Sequence, residues 1–245
     1  MTYCVGLKLR AGLVLLSDTR TNAGIDNIAR FRKMFVYEEP GERVIVLMTA
    51  GNLGITQSVL ARLDAAIKRS KTDPEVESIM SCESLYRAAE LVGEVMNEVQ
   101  KRDRANIEAQ GAAADATIIM AGQRTGGDLR LFLVYTAGNF IEATDDTPYL
   151  QIGEHKYGKP ILDRVIKPST TLDEALKAAL VSMDSTLRSN LSVGMPLDLV
   201  VIRADEYRVG FQQRIEQDHK EFRQISDSWA SALREAFAGL PTIKI

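Results

Sequence analysis

Cysteine and histidine are nearly missing from this chain, with two of each among 245 residues. Cys4 and Cys82 are too few for a disulfide framework. Together with His155 and His219 they show no zinc-ligand spacing, so neither a metal nor a cofactor is expected. Long apolar runs are also missing. The longest, Val44 to Met48, falls far short of the roughly 20 residues that cross a bilayer. The N-terminus alternates polar and apolar residues and has no apolar signal region, which predicts cytoplasmic residence. Charge is balanced rather than one-sided. A net charge of -3 and a pI near 5.6 give no electrostatic case for nucleic acid or an anionic membrane. No Pro/Gly/Ser-rich linker divides the chain. We therefore expect one domain over residues 2–213. A C-terminal helical extension over 214–245 would pack on it or on a neighbouring subunit.

What is present reads as a layered α+β protein. Hydrophobic residues make up 45% and charged residues 26%, ordinary for a globular chain with a sizeable core. Residues 2–9 alternate as a strand, with Val5, Leu7 and Leu9 facing one way. A turn at Arg10-Ala11-Gly12 leads into a second strand, Leu13 to Asp18. A hairpin centred on Ala11 would pair Cys4 with Asp18, and would set Thr2 and Asp18 diagonally on one face. A one-residue slip would put them on opposite faces. Strands at Met34–Tyr37 and Val44–Met48 precede a helix with Ile55, Val59, Leu63 and Ile67 on one stripe. A second helix is predicted over about 83–106. Strands follow at 116–121 and 129–135, with shorter extended runs to about Ile152. Thr171 to Glu174 is a capping box opening another helix. Strands at Leu197–Ile202 and Arg208–Phe211 come next. An amphipathic helix over about 218–237 ends the pattern, with Phe222, Ile225, Trp229, Leu233 and Phe237 on one face. Clustered strands with clustered helices favour α+β layers over a parallel βαβ sheet.

Thr2 is the candidate nucleophile. If Met1 is removed, Thr2 carries a hydroxyl and a free α-amine together. The amine, whose pKa is ordinarily about 7.7–8.0, can accept the hydroxyl proton. Asp18 is the first carboxylate able to reach this end of the chain. A cation at Lys33 would hold the amine neutral through like-charge repulsion and favour ionisation of the hydroxyl. Gly51 stands at a strand-to-helix turn, where free backbone N–H groups and a missing side chain suit an oxyanion hole. Singly, each has a plain structural explanation. Together they form an ordered set.

That set resembles the β-type subunits of the proteasome family, which are N-terminal-nucleophile hydrolases. The matching residues are Thr2, the stretch from Gly12 through Asp18 and Arg20 to Gly24, then Lys33 and Ala50-Gly51. Asp18 keeps the family's sixteen-residue spacing from the threonine, while Lys33 comes one residue early after Gly24. Within the family the chain is most similar to the bacterial branch called Anbu (ancestral β subunit). The marks are Met1 directly before Thr2 and a C-terminal extension carrying Trp229. Two stretches depart from the family pattern. Gly153-Glu154-His155 stands where Gly-Ser-Gly is usual, and Ser189 replaces an Asp while Ser192 keeps its Ser.

The resemblance implies a four-layer αββα sandwich and a homo-oligomer, either a ring or an open helical assembly. It also implies peptide-bond hydrolysis of a peptide or unfolded protein. Thr2 would attack, Lys33 would tune it, Asp18 would orient Lys33, and the Gly51 N–H would hold the oxyanion. Ser192 and Ser189 would support the amine. The alternative is a weakly active or inactive subunit that acts as an assembly or peptide-binding scaffold.

Overall fold

The computed structural model describes residues 2–22 and 28–243. Met1 and Gly24, both part of the sequence argument, lie outside the described residues.

Two five-stranded sheets carry the molecule, and every pairing within them is antiparallel. The first is built from β1 (Tyr3–Leu9), β2 (Gly12–Asp18), β10 (Tyr149–Gly153), β11 (Leu197–Arg203) and β12 (Phe211–Ile215), in the order β10-β1-β2-β11-β12. The second runs β5-β6-β7-β8-β9, from β5 (Met34–Glu39), β6 (Arg43–Gly51), β7 (Ala116–Arg124), β8 (Arg130–Val134) and β9 (Phe140–Glu142). A small two-stranded sheet joins β3 (Arg20–Asn22) to β4 (Ile28–Arg30).

The near-continuous apolar runs of the central strands are explained by burial on both faces. In β6, Val44, Val46 and Met48 join a core shared with Leu13 and Leu15 of β2 and Val200 and Ile202 of β11. That core lies between the two sheets. The alternate residues Ile45 and Leu47 face the other way, against α1 (Leu53–Ser70) and α2 (Leu85–Ala109). In β2, Val14 and Leu16 meet a third core built with α3 (Lys159–Val165), α4 (Leu172–Ser189) and Phe222 of α5 (Lys220–Ala238). Period-two alternation thus sorts each strand's side chains between a facing sheet and a helix layer.

Helix ends follow local chemistry. Asn52 and Ser84 cap α1 and α2 by accepting from the N–H groups of Ile55 and Arg87. The capping box predicted at Thr171 forms in both directions with Glu174.

Two expectations are corrected. The hairpin pairs Cys4 with Ser17 and Leu9 with Gly12, one residue away from a centre at Ala11. Gly12 is the cause. Its φ of +148° is open to glycine, and a Cβ there would sit 2.1 Å from the Ile202 carbonyl oxygen. Gly12 therefore joins the strand as a paired residue and leaves Arg10-Ala11 as the turn. The second correction is the last strand, which begins at Phe211 and not at Arg208. Asp205 and Tyr207 adopt left-handed backbone, which ends extended pairing before that point.

Candidate active site

The expected set converges at the ends of β1, β2 and β6. Thr2, Lys33 and Gly51 line one cleft of about 290 Å³ with Thr21, Thr49, Ala50, Leu53, Thr56 and Gly153. Thr2 is largely buried, at 8% exposure. Gly51 ends β6, and the first turn of α1 follows after Asn52, so a helix N-terminus opens on the cleft. Its free N–H groups carry partial positive charge. The sharp exit needs glycine. Gly51 has φ +103°, and a Cβ there would lie 2.2 Å from the Asp115 carbonyl oxygen.

Asp18 does not line this cleft. The one-residue shift in register places it on the opposite strand face from Thr2, contrary to the shared face expected from the hairpin. It lies behind the cleft, bonded to Lys33. The Lys33 ammonium donates to Asp18 Oδ1 at 2.7 Å and to the Arg20 carbonyl at 2.6 Å. Tyr3 N–H donates to the same Asp18 oxygen at 3.1 Å, and Gly194 N–H donates to Oδ2 at 3.2 Å. Both partners are buried, with side-chain exposures of 6% for Lys33 and 0% for Asp18. Burial pushes the Asp18 carboxyl above its ordinary range. The Lys33 ammonium and the two N–H donors oppose that rise. Burial likewise raises the neighbouring Cys4 thiol, so it stays protonated.

Ser189 and Ser192 are not among the residues lining the cleft. Ser189 is exposed at the end of α4, while Ser192 N–H donates to Asn190 Oδ1 at 2.9 Å. The loop they flank still reaches the site, through contacts that sequence reasoning did not foresee. Gly194 binds Asp18, and Asn190 Nδ2 donates to the buried Glu154 carboxylate at 3.1 Å. Glu154 N–H in turn donates to the Thr2 carbonyl at 2.6 Å. The clue in the sequence was Gly153, a glycine closing an apolar strand. Its φ is +80°, and a Cβ there would sit 1.9 Å from the Thr2 carbonyl oxygen. Thr21, Thr49 and Thr56 carried no such clue. Among the described residues, no group of three or more His, Cys, Asp or Glu could hold a metal ion.

A hydroxyl, a buried ammonium and a helix N-terminus thus meet in one cleft. Positive charge of this kind favours an ionised oxygen on the protein and a developing oxyanion on a bound carbonyl.

No family model matches the chain, and no curated protein matches it. Solved structures match along its whole length. The Anbu (ancestral beta-subunit) of Yersinia bercovieri is 48% identical, with a TM-score of 0.90, over 99% of this chain and 100% of that one. A Gly-1 mutant of Anbu from Hyphomicrobium sp. strain MC1 is 47% identical, with a TM-score of 0.92, and both chains are fully covered. The helical assembly of the Anbu complex from Pseudomonas aeruginosa is 46% identical, with a TM-score of 0.92, over 99% of this chain and 98% of that one. The mixed α/β fold is therefore that of the proteasome-like β-subunit relatives. The chain belongs to their Anbu family.

Proposed function

We propose that the chain is a proteasome-type peptidase whose nucleophile is Thr2, exposed by removal of Met1. The observation that carries this is the buried Lys33–Asp18 pair at 2.7 Å, whose lysine lines the same cleft as Thr2. Thr2 Oγ1 attacks the peptide carbonyl, and its proton passes to the Thr2 α-amine, directly or through a water. Lys33 stabilises the ionising hydroxyl, and Asp18 holds Lys33 in place. The Gly51 N–H and the first turn of α1 stabilise the tetrahedral oxyanion. Ser192 and Ser189, which do not line the cleft, act on the amine only indirectly, through the end of α4 and the loop that follows it. The intermediate collapses as the scissile C–N bond breaks, the α-ammonium giving its proton to the leaving amine; water then hydrolyses the acyl-enzyme ester and regenerates Thr2.

The sheets and helices fit the four-layer αββα sandwich of N-terminal-nucleophile hydrolases, because separate cores lie between the sheets and under each helix layer. Residues 2–213 form the hydrolase domain and 214–245 the extension. The substrate is a peptide or unfolded protein, and the enzyme works in the cytoplasm. No helix among the described residues is long and apolar enough to cross a membrane.

The chain acts as a homo-oligomer, as the Pseudomonas aeruginosa relative does in its helical assembly. Apolar residues left open on α5 support this, with Leu233 at 49% and Phe237 at 77% exposure. The same face supports the second reading, an assembly scaffold with little or no turnover. A panel of fluorogenic peptides separates the two. The peptidase reading expects turnover that is absent in Thr2→Ala and in Lys33→Met. Turnover surviving unchanged in Thr2→Ala would overturn it.

A further inference from the structure

Glu154 is a buried carboxylate that the mechanism above does not use. It is 8% exposed. Among the described residues its side chain has neutral partners: Asn190 Nδ2 at 3.1 Å on one oxygen and the Lys156 backbone N–H at 3.4 Å on the other. The Asn190 side chain is in turn held by Ser192 N–H at 2.9 Å, so the loop after α4 fixes its orientation. A carboxylate taken out of water with neutral donors alone is costly, and such groups are normally paired with a cation.

The cation can come from the chain end. Glu154 N–H already binds the Thr2 carbonyl at 2.6 Å, and Tyr3 pairs with Gly153. Directly opposed residues of an antiparallel pair stand close enough for their side chains to interact. The left-handed Gly153 presses β10 against Thr2 at this point. Removing Met1 creates an amine on the Cα next to that carbonyl. We infer that Glu154, held by Asn190, is the positioning counter-ion of the Thr2 α-amine. This rests on the reading of Thr2 as the mature N-terminus.

Among the described residues, the other charged groups on the strands and loops packed here have partners of their own or face solvent. Lys33 lines the cleft and repels the ammonium, but its charge is matched by Asp18. Arg20 donates to the Leu191 carbonyl at 2.8 Å. Arg188 pairs with Asp184 on α4. His155 and Lys156, on the same loop as Glu154, are exposed to solvent. Cys4 is a buried neutral thiol. Glu154 and Lys33 therefore act on the amine with opposite sign. The lysine favours the neutral base, while the glutamate favours the charged form and orients it.

The test uses chains made to begin at Thr2 by cleaving a preceding tag, and checked by intact mass. Competitive acetylation across pH, read by mass spectrometry, gives the pKa of the α-amine. Glu154→Gln should lower that pKa by about one unit or more, the scale of one nearby opposite charge. Glu154→Ser, which removes the charge from a smaller side chain, should do the same. It keeps the test open if the glutamine variant folds poorly. An amine that titrates as in the wild type in a folded variant would overturn the assignment. A β-lactone probe read on the same samples separates this from the nucleophile itself. A shifted amine without acylation leaves Glu154 in its role and sinks the peptidase reading. Acylation with an unshifted amine does the reverse.

Discussion

Both carboxylate oxygens of Asp18 are occupied, one by Lys33 and Tyr3 and the other by Gly194. These three donors hold the buried carboxylate, and Lys33 is bonded to it beside the cleft. Lys33→Met leaves the Asp18 carboxylate buried without its cation. We expect it to cost about 3–5 kcal/mol in a chemical denaturation curve, as well as turnover. Burial raises the Asp18 carboxyl, so the folded chain keeps this proton at a pH where the unfolded chain, titrating near about 3.9, has lost it. The stability that this proton brings is therefore full below the unfolded value. It disappears as pH rises through the folded one. Asp18→Asn should remove that slope from melting temperature against pH in the acid range, and an unchanged slope would contradict the burial argument. At this scale Thr2, Lys33 and Gly51 were legible because their residue types answer specific chemical needs at fixed spacing. Glu154 stood out as a departure from the family pattern, but its contact with Asn190 was not legible, because it depends on the loop after α4 meeting the residue that follows β10.

Elements bring these residues together by ending sharply. β6 stops at Gly51 and β10 at Gly153, and each glycine has positive φ and backbone pressed where a side chain would stand. Gly51→Ala should strain the exit of β6 by about 1–3 kcal/mol, lowering the melting temperature. It should also cut acylation by moving the first turn of α1. Wild-type acylation in Gly51→Ala would remove that turn from the oxyanion role. A contrasting change lies far from the cleft. Thr171→Ala breaks the capping box of α4 and should cost about 1 kcal/mol with turnover per folded molecule unchanged.

Helix positions were readable in advance because the apolar stripes and caps are local signals. The hairpin register was not. Apolar residues fill both faces of β2, so the hydrophobic pattern does not choose between neighbouring registers. The choice is made by Gly12 fitting beneath the Ile202 carbonyl, a contact between distant parts of the chain. That one-residue difference is why Asp18 meets Lys33 and stays out of the cleft that Thr2 lines.

The two five-stranded sheets share one core, and α5 packs beside α4 on another. Phe222 of α5 is buried in the core under α4, whereas Leu233 and Phe237 are open. The first turn of the helix is therefore part of this fold, and its last turns are free to meet a neighbour. If the proposed homo-oligomer uses this face, Leu233→Glu with Phe237→Glu should leave the monomer folded and lower the molar mass in light scattering. An unchanged mass would place the interface elsewhere.

The central claim concerns Thr2, and intact-protein mass spectrometry tests it most directly. The wild-type chain should appear without Met1 and should gain one equivalent of an epoxyketone or β-lactone probe. Thr2→Ala should gain none. Equal labelling of both chains would contradict the account.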